Sequence, residues 1–178
     1  MAEDLGWVIQ SEEGCGDWDI WWTDREVNPE VLFRMNLHQR VNHYPGIYVL
    51  ARKNLLGMNL MAMHEQFPED YSFFPKTWVL PLEFPKFLKY YESCERGKTR
   101  TYIVKPEAES QGRGIFLTRN IDEITNGHKY VVQRYIKNPF LIDSLKFDLR
   151  IYVLLAGTDP LRLYIYEEGL TRFATKKY

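Results

Sequence analysis

Hydrophobic and polar positions alternate most clearly in the second half of the chain. Residues 101–106 (Thr-Tyr-Ile-Val-Lys-Pro) predict a strand that ends on a lysine and a proline. A glycine loop follows, Gln111-Gly112-Arg113-Gly114-Ile115, and residues 130–136 (Tyr-Val-Val-Gln-Arg-Tyr-Ile) predict a second strand. Residues 146–155 predict a third. Side chains two apart on a strand share a face, so Lys146, Asp148 and Arg150 lie on one side and Phe147, Leu149 and Ile151 on the other. Past Arg150 the polar side turns to Tyr152 and Leu154, which predicts a strand wet at its start and buried later. Gly157-Thr158-Asp159-Pro160 predicts a turn. Residues 161–166 and 170–173 then predict successive strands about Glu167-Glu168-Gly169, an antiparallel meander. Asn120 is placed to cap a brief helix over 120–125, stopped at Asn126-Gly127.

The first half is more mixed. Residues 6–10 and 17–22 are strand candidates, the second setting Trp18, Ile20 and Trp22 against Asp17, Asp19 and Trp21. Asn28-Pro29 predicts the start of a short helix to about Met35. After a turn at 42–46, a helix is predicted over 48–63, with Leu56, Leu60 and Met63 at helical spacing and Lys53 on another side. Residues 67–85 hold four of the nine prolines and read as a connector, hence as a domain boundary. Residues 86–95 predict a helix ended by Gly97.

Composition narrows the class. At 178 residues, 45% hydrophobic and 26% charged, the chain suits a soluble globular protein with a real core. Aromatic residues make up 15%, and the cluster Trp18, Trp21 and Trp22 reads as core or subdomain contact. The net charge of −1 excludes a generic polyanion binder. Residues 101–178, with 12 Lys/Arg against 9 Asp/Glu, are mildly basic. That bias suits an anionic small ligand better than a nucleic-acid groove. Cys15 and Cys94 are far apart and form no C-x-x-C, which argues against zinc and against a disulfide framework. His38, His43 and His64 share no ligand spacing and read as surface or loop residues. No apolar run approaches the roughly 18 residues of a membrane helix, and the first residues lack a basic and apolar leader, so a cytoplasmic protein is expected.

Candidate chemistry gathers between Lys105 and Arg150. Gly112-x-Gly114 beside Lys105 and Arg113 fits a loop covering phosphates, since glycines let backbone N–H groups approach oxygens and lysine adds a point charge. Its spacing is neither a P-loop nor a dinucleotide fingerprint. Gln133 and Arg134 interrupt an apolar strand, which is either an ordinary buried strand with a polar pair or a hinge along an adenine edge with Ile136 against the ring. The charged face of 146–150 is by itself equally a solvated face with cross-strand ion pairs.

The runs Tyr-Ile-Val-Lys-Pro, Gln-Gly-Arg-Gly-Ile, Val-Gln-Arg-Tyr-Ile, Lys-Phe-Asp-Leu-Arg-Ile-Tyr-Val-Leu and Glu-Gly-Leu-Thr-Arg-Phe-Ala-Thr resemble the tubulin–tyrosine ligase-like family, in particular its polyglutamylase branch. His43-Tyr44-Pro45-Gly46, Arg52-Lys53-Asn54-Leu55 and Phe74-Pro75-Lys76-Thr77-Trp78 resemble the same branch. The resemblance implies an α/β ATP-grasp fold, with an N-terminal domain over 1–75, a central domain over 76–140, and the start of a C-terminal domain over 141–178. It implies ATP and Mg²⁺ as cofactors. Lys105 would meet the phosphates, Gln111 and Gly112 would lie in the flap over them, and Gln133, Arg134, Tyr135 and Ile136 would form the adenine hinge. Within Lys146-Phe147-Asp148, Lys146 and Asp148 would touch adenine and ribose; Arg150 would sit by the transferred phosphate, Arg172 would bind the incoming amino acid, and Lys53 would point toward the nucleotide. The implied reaction adds free L-glutamate to glutamate side chains in tubulin C-terminal tails on microtubules, in the cytoplasm and cytoskeleton, cilium or basal body included. No nucleic acid or membrane partner is implied. Two departures stand out. Glu107-Ala108-Glu109-Ser110 follows the Lys-Pro where the family often has glycine or cysteine, which adds carboxylates beside the flap. The family's later Thr-Asn element, magnesium-binding Asp and Glu-x-Asn pair have no counterpart up to Tyr178, so no metal ligand is assigned and the C-terminal domain is expected to be incomplete. A catalytically silent member that keeps tubulin or nucleotide binding is the rival expectation.

Overall fold

A computed structural model describes residues 2–10, 18–93, 100–107, 113–124 and 127–178. Strand β1 (Ile20–Trp21) pairs in parallel with β2 (Arg40–Val41), and helix α1 (Pro29–Arg34) lies between them in sequence. Asn28 caps α1 through its side-chain oxygen, which accepts from the Glu30 N–H at 2.9 Å. Residues 6–10 form no strand, because among the described residues no neighbouring strand shares a ladder with them, and Val8 is left exposed. The alternation at 17–22 also fails. Trp22 and Ile20 are exposed, while Trp18 and Trp21 meet edge to face at 5.9 Å.

The helix expected over 48–63 is two helices, α2 (Tyr48–Ala51) and α3 (Lys53–Gln66). Arg52 breaks them with an extended backbone (φ −87°, ψ 121°), while its guanidinium reaches Glu26 at 3.5 Å and stands over the Tyr48 ring. The break makes Lys53 the first residue of α3. His64 closes that helix with a part-buried ring, not a surface or loop position.

The 67–85 stretch is not only a connector. It contains β3 (Thr77–Leu80), and its prolines flank that strand without entering it, so each ladder N–H is kept. Helix α4 (Phe84–Glu92) then begins and ends earlier than expected, and Gly97 lies outside the described residues. Strands β4 (Tyr102–Pro106), β5 (Phe116–Thr118) and β6 (Tyr130–Arg134) join β3 in an antiparallel sheet of order β3-β6-β4-β5. Asn120 caps a single 3₁₀ turn (Ile121–Glu123) in place of a longer helix.

The two faces of this sheet do different work. Tyr102, Val104, Val132, Trp78 and Leu80 share one face, and α4 lays Phe87 against them. Phe87, Val104 and Val132 are 0% exposed, and Phe87 stands edge-on to Tyr102 at 5.2 Å. This aromatic and β-branched cluster is the core, and its area burial and ring geometry favour one arrangement of α4 on the sheet. The opposite face carries Thr77, Ile103, Lys105, Val131 and Gln133, and α3 packs there through Gly57 against Thr77.

Strand β7 (Leu141–Ile142) pairs with β8 (Leu145–Thr158), and β8 with β9 (Leu161–Lys177), in a third sheet. The meander expected after Tyr166 is a single strand. Glu167 and Glu168 fall in a register shift between Ile151 and Val153, and Gly169 sits opposite Ile151. There a Cβ would come 2.5 Å from the Arg150 carbonyl, so the glycine permits close strand approach and the apparent turn becomes a bulge. The later part of β8 is not buried, since Leu154 is 62% exposed. No helix among the described residues is long and apolar enough to cross a membrane.

Candidate functional site

A cavity of about 480 Å³ opens over the sheet face opposite the aromatic core. That size falls in the range of small-molecule sites. Its lining unites Lys105 from β4, Gln133 and Arg134 from β6, Tyr135 and Ile136 just beyond, and Lys146 and Phe147 from β8. Pro75, Ile103 and Phe140 add apolar walls. Phe147, which strand alternation sets on the apolar side, is thus a wall of the cavity, with Phe140 beside it in the lining at 6.1 Å and Phe173, outside the lining, at 5.5 Å.

Polar atoms in this lining are tightly ordered. Lys105 Nζ donates to Gln133 Oε1 at 2.9 Å, and Gln133 Nε2 donates to Thr77 Oγ1 at 2.9 Å. Thr77 Oγ1 donates in turn to the Pro75 carbonyl at 2.8 Å. The N–H groups of Arg134 and Tyr135 are held by the Lys76 and Thr101 carbonyls, both at 2.9 Å. Burial, and then the Lys53 ammonium, hold the Lys105 amine below the usual lysine range. Lys53 Nζ itself donates to the Pro106 carbonyl at 3.0 Å. Two cations close together, one beside a neutral amide and one on a carbonyl, make a place where an anion would be stabilised.

The wall formed by β8 is also ordered. Lys146 Nζ stands 5.3 Å from the Tyr135 ring centre and 5.7 Å from that of Tyr178. The Tyr178 hydroxyl lies 3.0 Å from that of Tyr135, and this hydrogen bond pushes its pKa up. Glu107, an expected source of repulsion, turns to α3 and accepts a hydrogen bond from the Asn54 amide.

The remaining sequence-derived residues lie elsewhere. Asp148 and Arg172 face each other across β8 and β9 in an exposed ion pair, and the Arg172 hydrogen bond holds the Asp148 carboxyl below its usual range. Arg150 stands opposite Leu170 on the same hairpin, outside the cavity lining. Gln111 and Gly112 lie outside the described residues. Gly114, with φ of 66°, and Arg113 border a second cavity of about 540 Å³ with Glu107, His128 and Lys129.

The tubulin-tyrosine ligase family model matches residues 31–178. The chain belongs to this family. A probable beta-tubulin polyglutamylase of Tetrahymena thermophila is 56% identical over 172 residues, which cover 97% of this chain and 14% of that protein. The mouse tubulin polyglutamylase TTLL13 is 48% identical over 162 residues, covering 91% of this chain and 20% of the relative. This family member therefore spans a fifth or less of the length of these two relatives. Among solved structures, the C-terminal domain of K. lactis Pby1, an ATP-grasp enzyme, aligns with a TM-score of 0.63 at 22% identity, over 89% of this chain and 48% of that one. The fold is ATP-grasp, of mixed α/β architecture.

Sequence reasoning missed Thr77. The Phe74-Pro75-Lys76-Thr77-Trp78 motif is visible, but four prolines make its surroundings look irregular, and nothing in one dimension ties Thr77 to Gln133. Among the described residues no group of three or more His, Cys, Asp or Glu side chains is placed to hold a metal.

Proposed function

We propose that this chain forms the nucleotide-holding part of an ATP-dependent amide ligase that adds glutamate to glutamate side chains of tubulin C-terminal tails. The observation that carries the reading is the cavity in which Lys105, the Gln133–Ile136 hinge and Lys146 converge, within a family member similar to tubulin polyglutamylases. Ile103, Ile136 and Phe147 offer apolar surface to a purine, and Gln133 offers a fixed amide. Lys105, with Lys53 nearby, supplies the charge that phosphates require, and a bound anion would offset the burial that lowers the Lys105 pKa.

In the proposed reaction an acceptor carboxylate takes the γ-phosphoryl group of ATP, ADP leaves, and an acyl phosphate forms. The amine of free glutamate then attacks its carbonyl carbon, and phosphate leaves as the amide forms. Fixed cations suit the first step because its transition state spreads negative charge over phosphoryl oxygens. Arg150, Asp148 and Arg172 sit together on the β8–β9 hairpin, and we assign that surface to the phosphoryl, ribose and amino-acid contacts. The flap assignment of Gln111 and Gly112, and a three-domain division at 75/76 and 140/141, belong to the same reading. Activity on microtubules places the protein at the cytoskeleton, cilia among the sites.

The test is ATP titration by calorimetry together with incorporation of radiolabelled glutamate into microtubules, for the wild type and Lys105→Ala. Saturable ATP binding that Lys105→Ala weakens supports the nucleotide assignment. ATP affinity unchanged in the variant refutes it. ATP binding without label incorporation would leave the chain as a nucleotide-binding, catalytically silent member.

A further inference from the structure

We infer that Thr77 is a positioning residue that gives the cavity its preference among purines, by fixing which end of the Gln133 amide an occupant meets. The inference rests on the nucleotide reading above. A hydroxyl has one proton, and that of Thr77 goes to the Pro75 carbonyl at 2.8 Å, a group that can only accept. The oxygen of Thr77 can then only accept from Gln133, 2.9 Å away, so the nitrogen end of the amide must lie there. Lys105, whose ammonium can only donate, holds the oxygen end at 2.9 Å. The amide is therefore locked from both sides. Its nitrogen points to β3 and away from the cavity lining, and its oxygen points to β4 beside Lys105, which lines the cavity.

An amide oxygen has two lone pairs, and Lys105 takes one. The cavity thus presents an acceptor. A purine with an exocyclic amine at position 6 satisfies it; one with a carbonyl there sets two acceptors against each other. A site built around a fixed polar group rejects the mismatched analogue because a buried group loses its partner. Thr77 is 3% exposed, so water does not replace its hydroxyl when that group is removed.

The experiment compares ATP with inosine triphosphate, which carries a carbonyl in place of the position-6 amine, by calorimetric titration of the full chain. Wild type is expected to bind ATP the more tightly. Thr77→Val keeps the shape and removes the hydroxyl, so its ATP-to-inosine-triphosphate affinity ratio should fall about tenfold. Thr77→Ser keeps the hydroxyl and should keep the wild-type ratio. Equal losses for both nucleotides in Thr77→Val, or a ratio that follows the methyl rather than the hydroxyl, overturns the inference. A wild type that binds both nucleotides equally also overturns it, without need of any variant. A wild type that binds neither overturns the nucleotide reading itself.

Discussion

Gly57 is the point where α3 touches the site-bearing face of the sheet, and filling it has a calculable consequence. A Cβ added there would lie 2.9 Å from Thr77 Cγ2 and 3.8 Å from Thr77 Cβ. Carbon–carbon contacts are most favourable at roughly 3.5–4.0 Å, so the first distance is short by about 0.6–1.1 Å. Thr77 cannot rotate away cheaply, because its hydroxyl is held by Pro75 and Gln133. Gly57→Ala gains about 0.8–1 kcal/mol of helix propensity, while overpacking costs about 1–3 kcal/mol. A net destabilisation of about 1 kcal/mol is expected. Thr77→Ser removes the clashing methyl and should itself cost about 1 kcal/mol in lost burial. In the double variant the alanine methyl takes the space that the threonine methyl left, the overlap disappears and the helix keeps its propensity gain. Stability should return to near wild type, a coupling of about 2 kcal/mol between the two positions. Urea titrations of the four proteins measure this directly, and ATP affinity in Gly57→Ala should fall as well, because Lys53 lies on the first turn of the displaced helix. Additivity of the two single changes to within about 0.5 kcal/mol would refute the reasoning.

Other outcomes follow from the same geometry. Lys105→Met should weaken ATP binding by about 10- to 100-fold in calorimetry, the range for a lost hydrogen bond to a charged group. The folded-state pKa of Lys105 is lowered, so its charge is a penalty that is fully present below that pKa and disappears as pH rises toward the unfolded value of 10.5. Wild type should accordingly gain stability relative to Lys105→Met as pH is raised through that window, followed by thermal melts. Phe87→Ala, at a fully buried ring touching Trp78 and Tyr102, should cost about 3–5 kcal/mol in urea unfolding. The Asp148 carboxyl is held below its ordinary 3.8 by Arg172, so its contribution is present above that value and is lost as pH falls through the lower folded-state pKa. Any melting-temperature difference between wild type and Asp148→Asn should therefore vanish under acid.

Short-range chemistry was legible in the sequence. Asn28 and Asn120 cap the turns that follow them because a side-chain oxygen needs only the N–H two residues on. The strands bearing Lys105, Gln133 and Asp148 follow from period-2 alternation, and of the residues named for a nucleotide Lys105, residues 133–136, Lys146 and Phe147 line one cavity while Asp148 lies outside its lining. Tertiary structure decided whatever depends on a partner distant in sequence. Residues 6–10 have no ladder among the described residues, because a strand exists only where another offers hydrogen bonds. Thr77–Leu80 is a strand despite flanking prolines, because β6 pairs with every residue of it. Glu167-Glu168-Gly169 has the composition of a turn and becomes a bulge, because β8 runs alongside and Gly169 lets its Arg150 carbonyl approach. The alternation on residues 146–151 sorts side chains into two sets but does not say which set meets a ligand. Pairing β8 with β9 places Asp148 against Arg172, and the loop from β6 brings Phe140 to Phe147 at the cavity wall. Thr77, 56 residues from Gln133, acquires its role only when β3 and β6 lie side by side. A hydrogen bond is set by distance in space, and the chain supplies that distance only once it has folded.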